Sequence, residues 1–252
     1  MGSGRVENPI IVIPARLAAL RLPAKPLADI AGVPMIVHVW RRAMAAGIGP
    51  VVVAAADRAI AEVVESAGGR AVLTDPDLPS GSDRVWQALG TVDPDGRHDV
   101  VVNLQGDLPT LEPALIRRAL DPLADPAVDI GTLVCRIADA ADRERPSVVK
   151  AVVGWGENQV GRCLYFSRAP VPTGDGPLWH HIGLYAYRRA ALGRFVALPQ
   201  SALERREHLE QLRALEAGMR IDAAEVDTVP LGVDTPQDLE TARRLIAGEH
   251  AS

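Results

Sequence analysis

The chain has 252 residues, 48% of them apolar, and a formal net charge of −5. That composition supplies a core and excludes a disordered chain. It also argues against a protein that grips a nucleic-acid backbone through its general field, so an anionic ligand has to be held by a local cluster of cations. No apolar run approaches the ~18 residues of a membrane span, and the start lacks the layout of a signal peptide, so neither a nucleic acid nor a membrane is an expected partner. Cys135 and Cys163 are the only cysteines. Neither sits in a paired ligand spacing, and both read as buried thiols in a reducing cytoplasm. Residues 1–8 read as a flexible leader, and 9–252 as one domain.

In chain order, the apolar run 10–13 predicts a buried strand, followed by a loop rich in Pro, Arg and Lys. A helix is predicted over 35–46, a strand over 51–55, and a helix over 57–67 ended by Gly68 and Gly69. A short strand over 71–73, a helix over 82–89, a strand over 100–104 and a helix over 113–123 complete the first half. This alternation predicts an α/β, Rossmann-like, mostly parallel sheet flanked by helices, with ligands beyond the C-terminal strand ends. The second half changes character. Strands over 130–137, 148–153, 163–168 and 181–187, then an amphipathic helix over 203–217, predict a smaller antiparallel-strand plus helix insertion (160–218) that extends the sheet. A strand over 221–226 and a helix over 236–246 close the chain.

The loops after the first and fourth predicted strands carry the densest chemistry. Pro14 and Ala15 lead into Arg16, Arg21 and Lys25, three cations within ten residues. Such a loop can wrap a triphosphate or can be a solvated basic loop. It is not a Walker loop, because that glycine–lysine pattern is absent. Asp107 follows a strand, where Mg²⁺, a taker of few carboxylates plus phosphate and water, would be held. Asp234 precedes Thr235-Pro236-Gln237-Asp238, a capping-box pattern, so it reads equally as support for a helix start. Gln105 reads as a turn amide beside Gly106, and Ser80, Gly81 and Arg84 as a helix N-cap region able to hold polar ligand atoms. His181 and Tyr185 lie four residues apart on one face of a predicted strand. Glu210 and Gln211 fall on the 203–217 helix, whose charged positions normally meet solvent.

The order of residues narrows these alternatives. Pro14-Ala15-Arg16 followed by Arg21-Leu22-Pro23-Ala24-Lys25-Pro26-Leu27 resembles the N-terminal signature of the CMP-KDO synthetases, which act on 3-deoxy-manno-octulosonate (KDO). Ser80-Gly81-Ser82-Asp83-Arg84, Asn103-Leu104-Gln105-Gly106-Asp107, Tyr165-Phe166-Ser167-Arg168, His181-Ile182-Gly183-Leu184-Tyr185, Leu209-Glu210-Gln211-Leu212-Arg213 and Gly232-Val233-Asp234-Thr235-Pro236 follow in the family's order. The resemblance implies transfer of CMP from CTP to the anomeric hydroxyl of KDO, for lipopolysaccharide biosynthesis, by a cytoplasmic homodimer whose insertion serves sugar binding and dimerisation. It implies Mg²⁺ held by Asp107 and Asp234, and nucleotide contacts from Pro14, Ala15, Arg16, Arg21, Lys25, Ser80, Gly81, Arg84 and Gln105. Sugar contacts are implied for Gln105, Arg168, His181, Tyr185, Glu210 and Gln211. No protein nucleophile stands in these motifs, so a direct in-line displacement is expected. The chain departs from the family pattern at Ala19, Leu17 and Leu20 in the first loop, at Ala24 where glycine is frequent, and at Pro79 and Leu108. Rival readings are a CMP-sialate synthetase, an enzyme for an 8-amino KDO analogue, and a non-catalytic nucleotide-binding module.

Overall fold

The apolar runs of the first half become buried strands in the computed structural model, which describes residues 8–18 and 22–249. The fold is mixed α/β, in two units formed by residues 8–116 with 230–249 and by 117–229. In the first unit β1 (Pro9–Ala15) is followed by a small hairpin, β2 (Asp29–Ile30) and β3 (Val33–Pro34). Then come α1 (Met35–Ala46), β4 (Val51–Ala55), α2 (Arg58–Ser66), β5 (Arg70–Leu73), α3 (Gly81–Val92), β6 (Val100–Asn103) and α4 (Pro113–Arg118). Strand β1 pairs in parallel with β4 on one side and β6 on the other, and β4 pairs in parallel with β5. Parallel strands covered on both faces need apolar residues at every position. Ile11, Val12 and Ile13 accordingly have no exposure, and neither do Val52, Val53, Val101 and Val102.

Parallel register brings strand ends to one edge. Ala15 stands opposite Ala55, and Asn103 opposite Val12, so the loops after β1, β4 and β6 leave the sheet together. Gly106 is required by that convergence. A Cβ there would lie 3.0 Å from the Pro14 carbonyl oxygen and 3.3 Å from Ile36 Cδ1.

The second unit contains β7 (Ile130–Arg136), α5 (Ala140–Glu144), β8 (Lys150–Trp155), β9 (Val160–Ser167) and β10 (Trp179–Arg188). Helices α6 (Arg189–Ala197), α7 (Ala202–Glu207) and α8 (Gln211–Glu216) and strand β11 (Ile221–Val226) complete it. Its strands also close on themselves into a ring within the one nine-stranded sheet. Strand β7 pairs antiparallel with β10 and parallel with β11, β11 pairs with β9, β9 with β8, and β8 with β10. The length of β10 permits the closure, because Trp179 and His180 pair with β7 on one side and β8 on the other. Closing a sheet removes its vulnerable edges. The expected insertion over 160–218 lies within this unit. After it the chain returns to the first unit as α9 (Pro236–Glu249), where Leu239, Ala242 and Ile246 pack with Ile30, Met35 and Val233.

Two expected helices are broken. The 113–123 helix stops at Arg118 and resumes as a 3-10 turn over Asp121–Ala124, since Pro122 lacks an N–H and its ring disfavours helical backbone before it. The 203–217 helix divides at His208, which takes a left-handed φ of 54°. The end of β9 grips that break. The Glu207 carboxylate accepts from Ser167 Oγ at 2.8 Å and from the Arg168 N–H at 3.0 Å. The Arg168 guanidinium donates in turn to the Glu207 and His208 carbonyls at 2.7 and 3.1 Å. An arginine on the last carbonyls of a helix satisfies acceptors that the helix itself leaves orphaned.

Candidate active site

The loops leaving β1, β5 and β6, with the turn before α9, surround a cavity of about 430 Å³ in the first unit. Pro14, Ala15, Arg16, Lys25, Ser80, Gly81, Arg84, Gln105, Asp107 and Asp234 all line it, so the structure brings together most of the residues singled out in the sequence. Arg21, Ala19 and Leu20 lie outside the described residues, as does the leader up to residue 7.

Lys25 is the hub of this pocket. Its ammonium donates to Asp107 Oδ2 at 2.8 Å and to Asp234 Oδ1 at 3.0 Å, joining carboxylates 127 positions apart in the chain (234 − 107). Burial works against the charged lysine, but the two carboxylates more than offset it, and the pKa stands above the usual lysine value. Lys25 opens a 3-10 turn whose preceding residue, Ala24, is held at a left-handed φ of 52°. The cap of α9 leaves Asp234 to this task. Asp238 accepts from the Thr235 N–H and hydroxyl, both at 2.8 Å, and donates its own N–H to Thr235 Oγ1. The capping-box reading and the ligand reading of this turn therefore fall on different side chains.

Two further cations, Arg16 and Arg84, line the same pocket. Burial lowers the pKa of Arg84, and the nearby charge of Arg16 lowers it further. Two guanidiniums close enough to repel, on a cavity, form a setting that an anion would relieve. Arg84 is only 2% exposed and also braces the loop after β5, donating to Thr74 Oγ1 at 2.5 Å and to the Asp75 carbonyl at 2.9 Å. Ser80 caps α3: its oxygen accepts from the Asp83 N–H at 3.2 Å and its hydroxyl donates to the Asp83 carboxylate at 2.7 Å. The cap residue also lines the cavity. Gln105 donates to Asn103 Oδ1 at 3.3 Å. Asp57, which the motifs passed over, accepts from the Leu17 N–H at 2.9 Å and ties the phosphate-type loop to the end of β4. An acidic residue two positions past a strand end is the available signal.

The remaining candidates belong to the second unit. His181 is 7% exposed, with Thr132 Oγ1 at 3.0 Å from Nε2 and the Gln211 amide nitrogen at 3.5 Å from Nδ1. Its ring centroid lies 4.7 Å from that of Phe166 and 5.5 Å from that of Tyr185. Burial holds the imidazole neutral, pushing its pKa down to about 3, with His180 adding to the effect. Burial also pushes the Tyr185 phenol well above its ordinary value, reinforced by the charge of Glu210, so it stays a hydrogen-bond donor. His181, Tyr185, Glu210 and Gln211 thus form one cluster. Three nitrogens of Arg168 donate to the carbonyls of Pro146, Glu207 and His208.

Cation chemistry fits the first-unit pocket. An ammonium already bridges the two carboxylates, and among the described residues no group of three or more His, Cys, Asp or Glu side chains is arranged for a metal. Two carboxylates with room for phosphate and water are the sparse donor set that Mg²⁺ accepts.

Comparison with known proteins agrees with this geometry. A family model described as Cytidylyltransferase matches residues 10–221. The 3-deoxy-manno-octulosonate cytidylyltransferase of Rhodospirillum rubrum is 69% identical over 240 residues, covering 94% of this chain and 95% of that one. That of Parvibaculum lavamentivorans is 66% identical over 240 residues, covering 95% and 93%. A solved structure of CMP:2-keto-3-deoxy-manno-octonic acid synthetase complexed with CTP is 42% identical, with a TM-score of 0.89 over 96% of this chain and 100% of that one. On these matches, and on the charged pocket that carries the shared motifs, the chain belongs to the family of 3-deoxy-manno-octulosonate cytidylyltransferases.

Proposed function

We propose that this protein transfers CMP from CTP to the anomeric hydroxyl of KDO, releasing pyrophosphate and the hydroxyl proton. The observation that carries the reading is the Lys25 bridge between Asp107 and Asp234 on a cavity that Arg16 and Arg84 also line. Opposite charges gathered on one small cavity suit a reaction in which a metal-bound triphosphate is held and its leaving group stabilised. The sugar oxygen attacks the α-phosphorus in line, and the bond from that phosphorus to the departing pyrophosphate breaks. Ser80, the hydroxyl lining the cavity, is committed to its cap, which supports direct displacement over a covalent intermediate.

Asp107 and Asp234 would hold Mg²⁺, which when bound neutralises phosphate oxygens and lowers the pKa of a nearby hydroxyl. Lys25 and Arg16 bind the β- and γ-phosphates and meet the charge that grows as pyrophosphate leaves. Gly81 and Ser80 present the start of α3 to the nucleotide, where backbone N–H groups favour anions. Gln105, on the turn after β6, serves the acceptor. In the second unit, neutral His181, protonated Tyr185 and Gln211 offer donors and acceptors to sugar hydroxyls, with Glu210 as a further acceptor. Arg168 enters this reading as a brace for the α7–α8 break rather than as a carboxylate clamp. Arg21 joins the phosphate set on the strength of the motif alone. A Rossmann-like arrangement of the first unit, a homodimer and a cytoplasmic location belong to the same proposal. Exposed Leu164 (59%) and Trp155 (38%) on β9 and β8 support the dimer.

The test is a panel of acceptors with CTP and Mg²⁺: KDO, its 8-amino analogue and sialic acid. Turnover is expected with KDO at the highest kcat/KM. A preference for another acid sugar would retain the displacement and replace the substrate, and turnover with none would leave a nucleotide-binding module.

A further inference from the structure

We infer that Thr132, which no motif singles out, is the positioning residue of the acceptor cluster, its one hydroxyl holding both the bulge of β10 and the tautomer of His181. The inference rests on the reading of His181 and Tyr185 as acceptor contacts, and it explains why those two side chains meet at all. In a regular strand, residues four apart lie about 13 Å from one another, so sharing a face does not make their rings neighbours. Here the ring centroids are 5.5 Å apart. The cause is an irregularity in the pairing of β10 with β7. Ile182 stands opposite Leu133 and Ala186 opposite Gly131, so Gly183, Leu184 and Tyr185 face a single residue, Thr132. Bulges of this kind shorten a strand locally and re-aim its side chains.

A bulge leaves backbone groups outside the ladder, and Thr132 is where they go. Its hydroxyl lies 2.9 Å from the Leu184 carbonyl oxygen and 3.2 Å from that of Ile182. The single hydroxyl proton is committed to these carbonyls, so Oγ1 meets His181 Nε2 as an acceptor. The proton of the imidazole must then sit on Nε2. The Gln211 amide nitrogen, 3.5 Å from Nδ1, is a donor and agrees with the same tautomer. Thr132 has no exposure, so water cannot readily replace its hydroxyl. A threonine in a buried strand ordinarily needs only its shape, which valine reproduces. Here the oxygen serves three partners on the strand that carries the cluster.

The experiment compares Thr132→Val, which keeps the shape and removes the oxygen, with Thr132→Ser, which keeps the oxygen, and includes His181→Asn as a reference. KM for KDO and for CTP are measured separately, alongside the ¹⁵N spectrum of the histidine rings in the unliganded protein. Thr132→Val is expected to raise KM for KDO about tenfold or more, the scale of a misplaced binding group, while KM for CTP stays within about twofold. The His181 ring should lose its single Nε2-protonated signature, and Thr132→Ser should restore both. If Thr132→Val does not accumulate as folded protein, Thr132→Ala makes the same deletion. A folded hydroxyl-free variant with unchanged KM for KDO and an unchanged ring spectrum overturns the inference, as does a serine variant no better than valine. His181→Asn without effect on KM for KDO would overturn the acceptor reading instead, and the ring spectrum would then decide the role of Thr132 alone.

Discussion

The first unit sets an ammonium between two carboxylates on a cavity, whereas the second keeps an imidazole and a phenol neutral by burial. Lys25 retains its proton through two carboxylates. His181 and Tyr185 are held uncharged mainly by the loss of water. The contrast matches the partners each unit would serve. A triphosphate with its metal needs opposing formal charges, which act at range and tolerate water. A polyhydroxylated sugar needs dipoles of fixed direction, which are specific only where water is excluded.

The sharpest way to break this comparison is at the carboxylates. Asp107→Ala is expected to lower turnover by at least ~10³-fold with an unchanged circular dichroism spectrum, since it removes charge that acts on the transition state. Lys25→Gln should cost about 10²-fold in kcat, with KM for KDO nearly unchanged. An equal rise in KM for KDO would mean that Lys25 serves the acceptor and that the division of labour is wrong.

The buried imidazole provides a thermodynamic test. His181 in the folded chain titrates at about 3, against 6.5 for an unperturbed histidine. Between those values the unfolded chain takes up a proton that the folded chain refuses, so stability falls as pH drops from 6.5 toward about 3. From this residue alone the loss should reach about 2 kcal/mol by about pH 5. Denaturant melts of His181→Gln should show a shallower fall over the same window. Some slope should persist, because the pKa of His180 is also lowered by burial. The smallest effect is expected at Ala24. Its left-handed backbone costs a residue with a Cβ about 1 kcal/mol or more, and glycine escapes that cost at some loss of chain entropy. Ala24→Gly should stabilise the fold by roughly 0.5 kcal/mol in denaturant melts, with activity preserved.

What could be read from the amino-acid order follows from what is local. Strands β1, β4 and β6 of the first unit are largely continuous apolar runs, and its ligand-side residues follow strand ends, so both are legible in the sequence, whereas the β2–β3 hairpin is not. Pro14, Lys25, Asp107 and Asp234 could be grouped because motif order stands in for spatial proximity. The bulge in β10 was not visible. Alternation puts His181 and Tyr185 on one face but cannot reveal that three residues face one, since the partner strand is about 50 positions away (182 − 133 = 49). The break at His208 was hidden for a similar reason. No proline or glycine marks it in the sequence, and the groups that stabilise it, Ser167 and Arg168, come from β9 and the residue after it. Arg84 and Arg168 share one lesson. A guanidinium in a ligand motif can double as a brace for loop carbonyls, and only the structure shows where those carbonyls lie.

The most direct measurement is ³¹P NMR of the purified protein with CTP, Mg²⁺ and KDO, run beside a sample without the sugar. Pyrophosphate and a new phosphodiester resonance should appear in equal amounts, only when KDO is present. Unchanged CTP, or pyrophosphate released without the sugar, would contradict the transfer of CMP to KDO at this pocket.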